Sequence, residues 1–462
     1  MSEQFKDQGG VATMDPSHFL RWMTSRLMTR LSRPAAVATR QAKAERIRVK
    51  TGSPHRVDYF HQVDEAYSHL TAQLLVRLAE RYNIELHCHL VRGQEGRNAP
   101  EPELLSRLAR YDAHLIAPGY GLSFAEHPEA PEARLVQLAT CILAAQSAVD
   151  FPRVVLAVSE AVWRGDGAAL EHLAADHGVV TPEEASVAVE AGTAKRRELK
   201  HYSGAMFHYG GEWYWGIDRL YHLEERLACL LAGEQPGMPI CFPRPKIENG
   251  PLKDDGSLTL EFYPTLRSPY TSIIFERVVK LASDTGIALR VLPVLPMVMR
   301  GVPTTKNKGA YIFWDAAREA RSAGVPFGKI YDPVGRPVRR CYSLYPWAAQ
   351  QGKGVDLLGS FLKAVMSEGV NCNNDRGLRL VVERAGLNWS DARKYIGDSE
   401  WVQLLEDNRR KLYSLGIWGT PSFRLLDNKG VQKSAWWGQD RLWIVSREVQ
   451  QLLSLRNKQQ IY

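Results

Sequence analysis

Val57-Asp58-Tyr59-Phe60-His61-Gln62-Val63-Asp64-Glu65-Ala66-Tyr67 and Leu260-Glu261-Phe262-Tyr263-Pro264-Thr265-Leu266-Arg267-Ser268-Pro269-Tyr270 align without a gap, 203 residues apart. Each begins as an apolar, aromatic run of strand character and passes through a turn into a helical pattern. The offset persists: Leu78-Ala79 matches Leu281-Ala282, and Ile84-Glu85-Leu86 matches Ile287-Ala288-Leu289. Further on, Trp215-Gly216-Ile217-Asp218-Arg219-Leu220 is echoed by Trp437-Gly438-Gln439-Asp440-Arg441-Leu442 at an offset of 222. The second copy thus carries nineteen extra residues between the two matches. Two separated motifs recurring in the same order read as an internal repeat.

Each copy reads as strand, amphipathic helix, strand, then a long helical stretch covering roughly 100–200 or 309–415. Two short strands follow, turned at Gly210-Gly211 or Asn428-Lys429-Gly430, and a final helix starts near the Asp-Arg pair. The fold expected is α/β: two tandem thioredoxin-like domains, each with a helical insertion. Residues 1–53 form a basic arm, 54–231 the first domain, 232–257 a Pro- and Gly-rich linker, and 258–456 the second domain.

A chain of 462 residues exceeds one ordinary core, which agrees with two domains. No apolar run approaches the about twenty residues that cross a bilayer. Arg21, Arg26 and Arg30 interrupt the apolar residues after Met14, so no cleavable signal is expected. The six cysteines (88, 141, 229, 241, 341 and 372) form no C-x-x-C pair, zinc pattern or disulfide framework. A reducing, cytoplasmic setting is the simplest expectation. Residues 1–50 hold ten Lys/Arg against four Asp/Glu, within a chain of formal charge +8. Such an arm can touch nucleic acid or an anionic membrane, but a solvated arm or a helix lying on the protein is favoured. Nothing else reads as a nucleic-acid module, and no such partner is expected.

Three short elements can carry chemistry. Ser268-Pro269-Tyr270 follows a strand and opens a helix, with Ser a good cap and Pro suited to the first turn. A plain cap is the commoner role; the functional one is a hydroxyl, in the positive potential of a helix N-terminus, bonding a ligand thiolate. Gly416-Ile417-Trp418-Gly419-Thr420-Pro421-Ser422-Phe423 offers a cis-proline site that turns the Thr420 backbone toward an extended peptide, although a trans proline at a strand edge is commoner. Asp440 is an ordinary helix cap or a receiver for an α-ammonium group. Arg441 is a solvent-facing arginine or a carboxylate partner.

In this order, the motifs of residues 258–455 resemble the DsbA-like branch that contains 2-hydroxychromene-2-carboxylate isomerases and kappa-class glutathione transferases. The matching residues are Ser268-Pro269-Tyr270, Lys308-Gly309-Ala310-Tyr311 with Asp315, Gly419-Thr420-Pro421-Ser422-Phe423 and Trp437-Gly438-Gln439-Asp440-Arg441-Leu442. The resemblance implies glutathione as cofactor and a small, aromatic electrophile as substrate. It implies that Ser268 contacts the sulfur, that Thr420 before cis-Pro421 pairs with the cysteinyl part, that Asp440 and Arg441 hold the γ-glutamyl end, and that Lys308 lies near the ligand.

The sequence also departs from that family. The loop Arg300-Gly301-Val302-Pro303-Thr304-Thr305-Lys306-Asn307 lacks the Asn-x-Pro-Pro-like element, and Arg267 precedes the serine, where its side chain can narrow or recharge the pocket. In the first copy Glu65-Ala66 stands for Ser-Pro and Gly204-Ala205 for Thr-Pro, so only Asp218 and Arg219 survive. A carboxylate there repels a thiolate, and this copy reads as a degenerate structural or dimer-mimicking partner. The chain is then a monomer with pseudo-dimeric domains or a homodimer. A glutathione-dependent isomerase or transferase is the leading reading, and a non-catalytic tandem scaffold the second. A thiol–disulfide oxidoreductase comes third, because C-x-x-C is absent.

Overall fold

The computed structural model describes residues 15–125, 129–230 and 239–459. The chain divides into two compact units. One comprises Ala38–Pro245 with Thr305–Tyr311; the other comprises Lys246–Thr304, Ile312 onward, and the N-terminal segment up to Val37. The arm expected over 1–53 is therefore shared between the units, and the linker expected over 232–257 divides at Pro245.

The N-terminal helices are α1 (His18–Ser32) and α2 (Pro34–Thr51). In the first unit β1 (Arg56–His61) leads through α3 (Ala66–Ala72) and α4 (Leu75–Arg81) to β2 (Glu85–Leu90). Helices α5 (Pro102–Ile116), α6 (Ala133–Ala144), α7 (Phe151–Arg164), α8 (Gly167–His177) and α9 (Pro182–Glu198) form the insert. Strands β3 (Met206–Tyr209) and β4 (Glu212–Trp215) and helix α10 (Gly216–Cys229) close the unit. The sheet order is β2-β1-β3-β4, with β1 parallel to β2 and the other pairs antiparallel. Central β1 is buried after its first residue, as expected for a strand covered on both faces, and Tyr59 meets Phe207 at a 4.8 Å ring separation.

The second unit runs β5 (Thr259–Tyr263), α11 (Pro269–Thr285), β6 (Ala288–Val291) and α12 (Lys306–Ser322). Its insert continues as α13 (Arg336–Gln350), α14 (Gly354–Lys363), α15 (Asp375–Arg384), α16 (Trp389–Ala392) and α17 (Glu400–Ser414). Strands β7 (Ser422–Leu426) and β8 (Gln432–Trp437) and helix α18 (Leu442–Gln459) complete it. The order β6-β5-β7-β8 and the strand directions repeat those of the first sheet. Phe262 stacks on Phe423 in the core at 5.4 Å. Gly286 stops α11 in the left-handed conformation (φ 76°), where a side chain would strike the Asp254 carbonyl.

Chain on either side of Pro245 is packed. The Glu224 carboxylate accepts the Cys241 and Phe242 amides, both at 2.8 Å, within the first unit. In the second unit Gln450 of α18 exchanges two hydrogen bonds with Leu252, each 3.0 Å. All six cysteines are free thiols. Among the described residues no helix is long and apolar enough to cross a membrane, and no acidic, His or Cys group could hold a metal.

Candidate functional site

Strand pairing in the second unit brings the sequence motifs together. Tyr263, the last residue of β5, stands opposite Ser422, the first of β7, which stands opposite Trp437, the last of β8. Ser268 follows β5, Pro421 precedes β7 and Asp440 follows β8. The three motifs therefore gather at one end of the sheet. The Gly438 amide donates to the Pro421 carbonyl at 2.9 Å, and the turn of Gln439–Arg441 packs against α11.

Ser268 caps α11: its hydroxyl oxygen accepts the Thr271 amide at 3.2 Å, and Pro269 occupies the first turn. The hydroxyl proton has no acceptor among the described residues. The half-buried group thus sits at the positive end of a 17-residue helix with a donor to spare. Beside it, Arg267 turns to Asp332, with Nε donating to Oδ1 at 3.0 Å and Nη2 to Oδ2 at 3.3 Å. Burial works against ionisation of Asp332, but Arg267 holds its carboxyl below the usual range. The charge expected to intrude on the pocket is therefore paired.

The Thr420–Pro421 peptide is cis, the less common of the two forms that the sequence left open. Its loop is shaped from two sides. Gly419 lies flat on Trp437, where a Cβ would come within 2.2 Å of the indole. Arg300, 5% exposed, donates through Nη2 to the Trp418 carbonyl at 3.1 Å and through Nε to the Leu295 carbonyl at 3.0 Å. Burial lowers its guanidinium to about 10. Arg300 is a positioning residue that sequence reading missed. Its only sequence signal is a charge amid an apolar run, from Val291 to Val302, that is otherwise free of it apart from Arg300 itself.

Asp440 and Arg441 are 8% and 3% exposed, against the solvent-facing role considered for the arginine. Gln439 bridges Asp440 Oδ1, at 2.5 Å, and Glu319 Oε2 of α12, at 2.6 Å. Lys308 does not join this set. Its ammonium donates to the Asn98 carbonyl at 2.7 Å and lies 5.6 Å from the centre of the Tyr202 ring, both in the first unit, to which Thr305–Tyr311 belongs. The Lys308 amine is thus engaged by a carbonyl of the unit to which the start of α12 belongs.

In the first unit Glu65 stands where Ser268 stands in the second and caps α3 likewise, accepting the Ser68 amide at 2.6 Å. Burial pushes its carboxyl up to about 7. Ala205, in the place of the cis proline, has φ of 51°. A cavity of about 710 Å³ opens in the helical part of the second unit, lined by Arg336, Arg339, Arg340 and Arg393 among others, but not by Ser268, Thr420 or Asp440.

Residues 259–450 match the family described as DSBA-like thioredoxin domain. Over 196 residues the chain is 22% identical to 2-hydroxychromene-2-carboxylate isomerase of Pseudomonas putida, covering 41% of this chain and 92% of that protein. A solved structure of 2-hydroxychromene-2-carboxylate isomerase is 20% identical with a TM-score of 0.37, over 44% of this chain and 99% of the other. The cytosolic disulfide reductase DsbM from Pseudomonas aeruginosa, also solved with GSH, is 18% identical with a TM-score of 0.35, over 43% of this chain and 98% of the other. Residues 259–450 carry a DSBA-like thioredoxin domain, and the chain is similar in sequence to 2-hydroxychromene-2-carboxylate isomerase.

Proposed function

We propose that the second unit is a glutathione-dependent isomerase or transferase for a small aromatic electrophile, and that the first unit is a degenerate copy of it. The observation that carries this reading is the Ser268 hydroxyl, its proton uncommitted, at the N-terminus of α11 and on the same sheet end as the cis Thr420–Pro421 peptide. These groups fit a thiolate: one hydroxyl donor and the helix potential both favour the anion. Glutathione, when bound, supplies the nucleophilic sulfur. Ser268 holds the sulfur in its ionised form, the Thr420 peptide groups align the cysteinyl part, and Asp440 with Arg441 forms the floor of the γ-glutamyl end. No cysteine adjoins Ser268 in sequence and C-x-x-C is absent, which weighs against disulfide exchange. Sequence similarity to an isomerase over 196 residues of this chain favours that reaction class. The matching Tyr–Asp pairs and sheet orders support duplication of one ancestral unit.

A non-catalytic scaffold is the second reading, favoured by the burial of Asp440 and Arg441. Titration calorimetry with glutathione at neutral and alkaline pH separates the two. Micromolar to millimolar binding, with a higher bound-thiol pKa in Ser268→Ala, supports the enzyme. No binding at tens of millimolar, weaker than roughly 3 kcal/mol, removes it.

A further inference from the structure

Helix α1 is inside out. Four of the side chains it turns toward the rest of the second unit are polar, at positions 21, 25, 29 and 32, with half-buried Met28 among them on the same face. Each of the four satisfies backbone of the segment 328–334. Arg21, 1% exposed, donates from Nη1 to the Asp332 and Val334 carbonyls, both at 2.6 Å. Ser25 Oγ accepts the Asp332 amide at 3.0 Å, Thr29 Oγ1 accepts the Ile330 amide at 2.9 Å, and Ser32 Oγ donates to the Gly328 carbonyl at 3.0 Å.

The opposite face carries Phe19, Trp22, Met23 and Leu27, with Arg26 and Arg30 on the same stripe. Phe19 is 69% and Trp22 54% exposed, and their rings stack at 6.1 Å. Arg26 lies over the Trp22 ring at 4.9 Å. A contiguous aromatic and aliphatic stripe left in water marks an interaction surface. Charge decides what covers it. Every exposed charged side chain of α1 is an arginine, and the nearby Asp15 is engaged by Arg21 and Arg339. Two copies of this stripe would set arginine against arginine, which disfavours self-pairing. Aromatic and aliphatic anchors flanked by arginines fit the headgroup boundary of an anionic bilayer, where the rings enter the acyl edge and the guanidinium groups meet phosphates.

We propose that α1 is a membrane-docking helix that lies in the plane of an anionic lipid surface, while its polar face stays bonded to the second unit. The helix lies on the bilayer and does not cross it, in keeping with its 15 residues. The test is co-sedimentation of the full-length protein with phosphatidylglycerol-rich vesicles and with pure phosphatidylcholine vesicles. The expected result is binding to the first only, weakened by salt. In the Phe19→Ser/Trp22→Ser double variant, vesicle partition should fall roughly tenfold to a hundredfold. Arg26→Glu/Arg30→Glu keeps the apolar anchors and should abolish the preference for anionic lipid. All four side chains point away from the unit, so folding, checked by circular dichroism, should be unchanged. Absence of binding to anionic vesicles at low salt overturns the proposal, as does binding that the double variant leaves intact. So does a concentration-dependent dimer that Phe19→Ser/Trp22→Ser dissociates, or vesicle binding gained only on removal of residues 1–14.

Discussion

Tyr270, in the first turn of α11, donates its phenolic hydrogen to Asp315 Oδ2 at 2.8 Å, and Arg318 engages the other carboxylate oxygen at 2.7 Å. Tyr67 and Asp112 form the same bond at 2.7 Å, each 203 residues earlier than its counterpart. The Asp315 side chain is fully buried, so the loss of one of its donors carries a cost that water cannot offset. Tyr270→Phe should therefore destabilise the second unit by about 1–3 kcal/mol. Urea unfolding of the variant measures this, and a neutral result would make the pair incidental to folding.

Ser268 has two separable duties. As the α11 cap it is worth about 0.5–2 kcal/mol, lost in Ser268→Ala. Ser268→Asn keeps a capping oxygen and should recover most of that stability. Ser268→Ala also removes the donor and should show a raised thiol pKa for bound glutathione if Ser268 acts on the sulfur, whereas the Asn amide can donate in its place. A thiol pKa left unchanged in Ser268→Ala, with stability recovered in the Asn variant, would reduce Ser268 to a cap.

Gly419 has no room for a methyl group against Trp437. Gly419→Ala should push the indole or the Thr420–Pro421 loop aside at a cost of about 1–3 kcal/mol or more. Glutathione affinity should fall with it. A smaller ring in Gly419→Ala/Trp437→Phe should recover part of the stability, and equal losses in the single and double variants would place the clash elsewhere.

Glu65 makes the first unit sensitive to pH. Its carboxyl is raised from 4.5 to about 7 by burial. Between those values the folded chain binds the extra proton, so stability falls as pH rises through this window, and the full cost stands above about pH 7. Glu65→Gln keeps an oxygen for the Ser68 amide and carries no charge. Its unfolding free energy should lose this pH dependence and exceed wild type on the alkaline side; parallel pH profiles would refute the assignment.

Lys308 has the opposite slope. Burial lowers its ammonium from 10.5 to about 8. The unfolded chain binds more protons between those values, so stability attributable to this group rises with pH across that window. Lys308→Met should remove that rise and leave glutathione affinity unchanged. A large loss of glutathione affinity without a change in the stability profile would return Lys308 to the ligand.

The candidate site was legible where its signals are local. Ser268-Pro269 specifies a cap and a first turn, Gly419-Thr420-Pro421 announces an irregular strand entry, and Asp440 follows a strand into a helical turn. Those readings need only neighbours within a few residues. Arg267, Arg300 and Lys308 were legible only as charges, because their partners Asp332, Trp418 and Asn98 lie 65, 118 and 210 residues away. No periodicity encodes such a distance.

By itself the sequence determined the order of elements, the repeated strand–helix–strand opening, the two hairpin turns and the basic, amphipathic character of the first helix. Backbone propensity, side-chain period and turn chemistry act over a few residues, so they survive reading one residue at a time. Tertiary structure alone decided which face of α1 turns inward, since that depended on carbonyls at Asp332 and Val334 being placed to receive Arg21. It also assigned the start of α12, with Lys308, to the first unit and paired the arginine beside Ser268. In each case a buried charge or orphan backbone group had to find a partner, and only the folded chain supplies one.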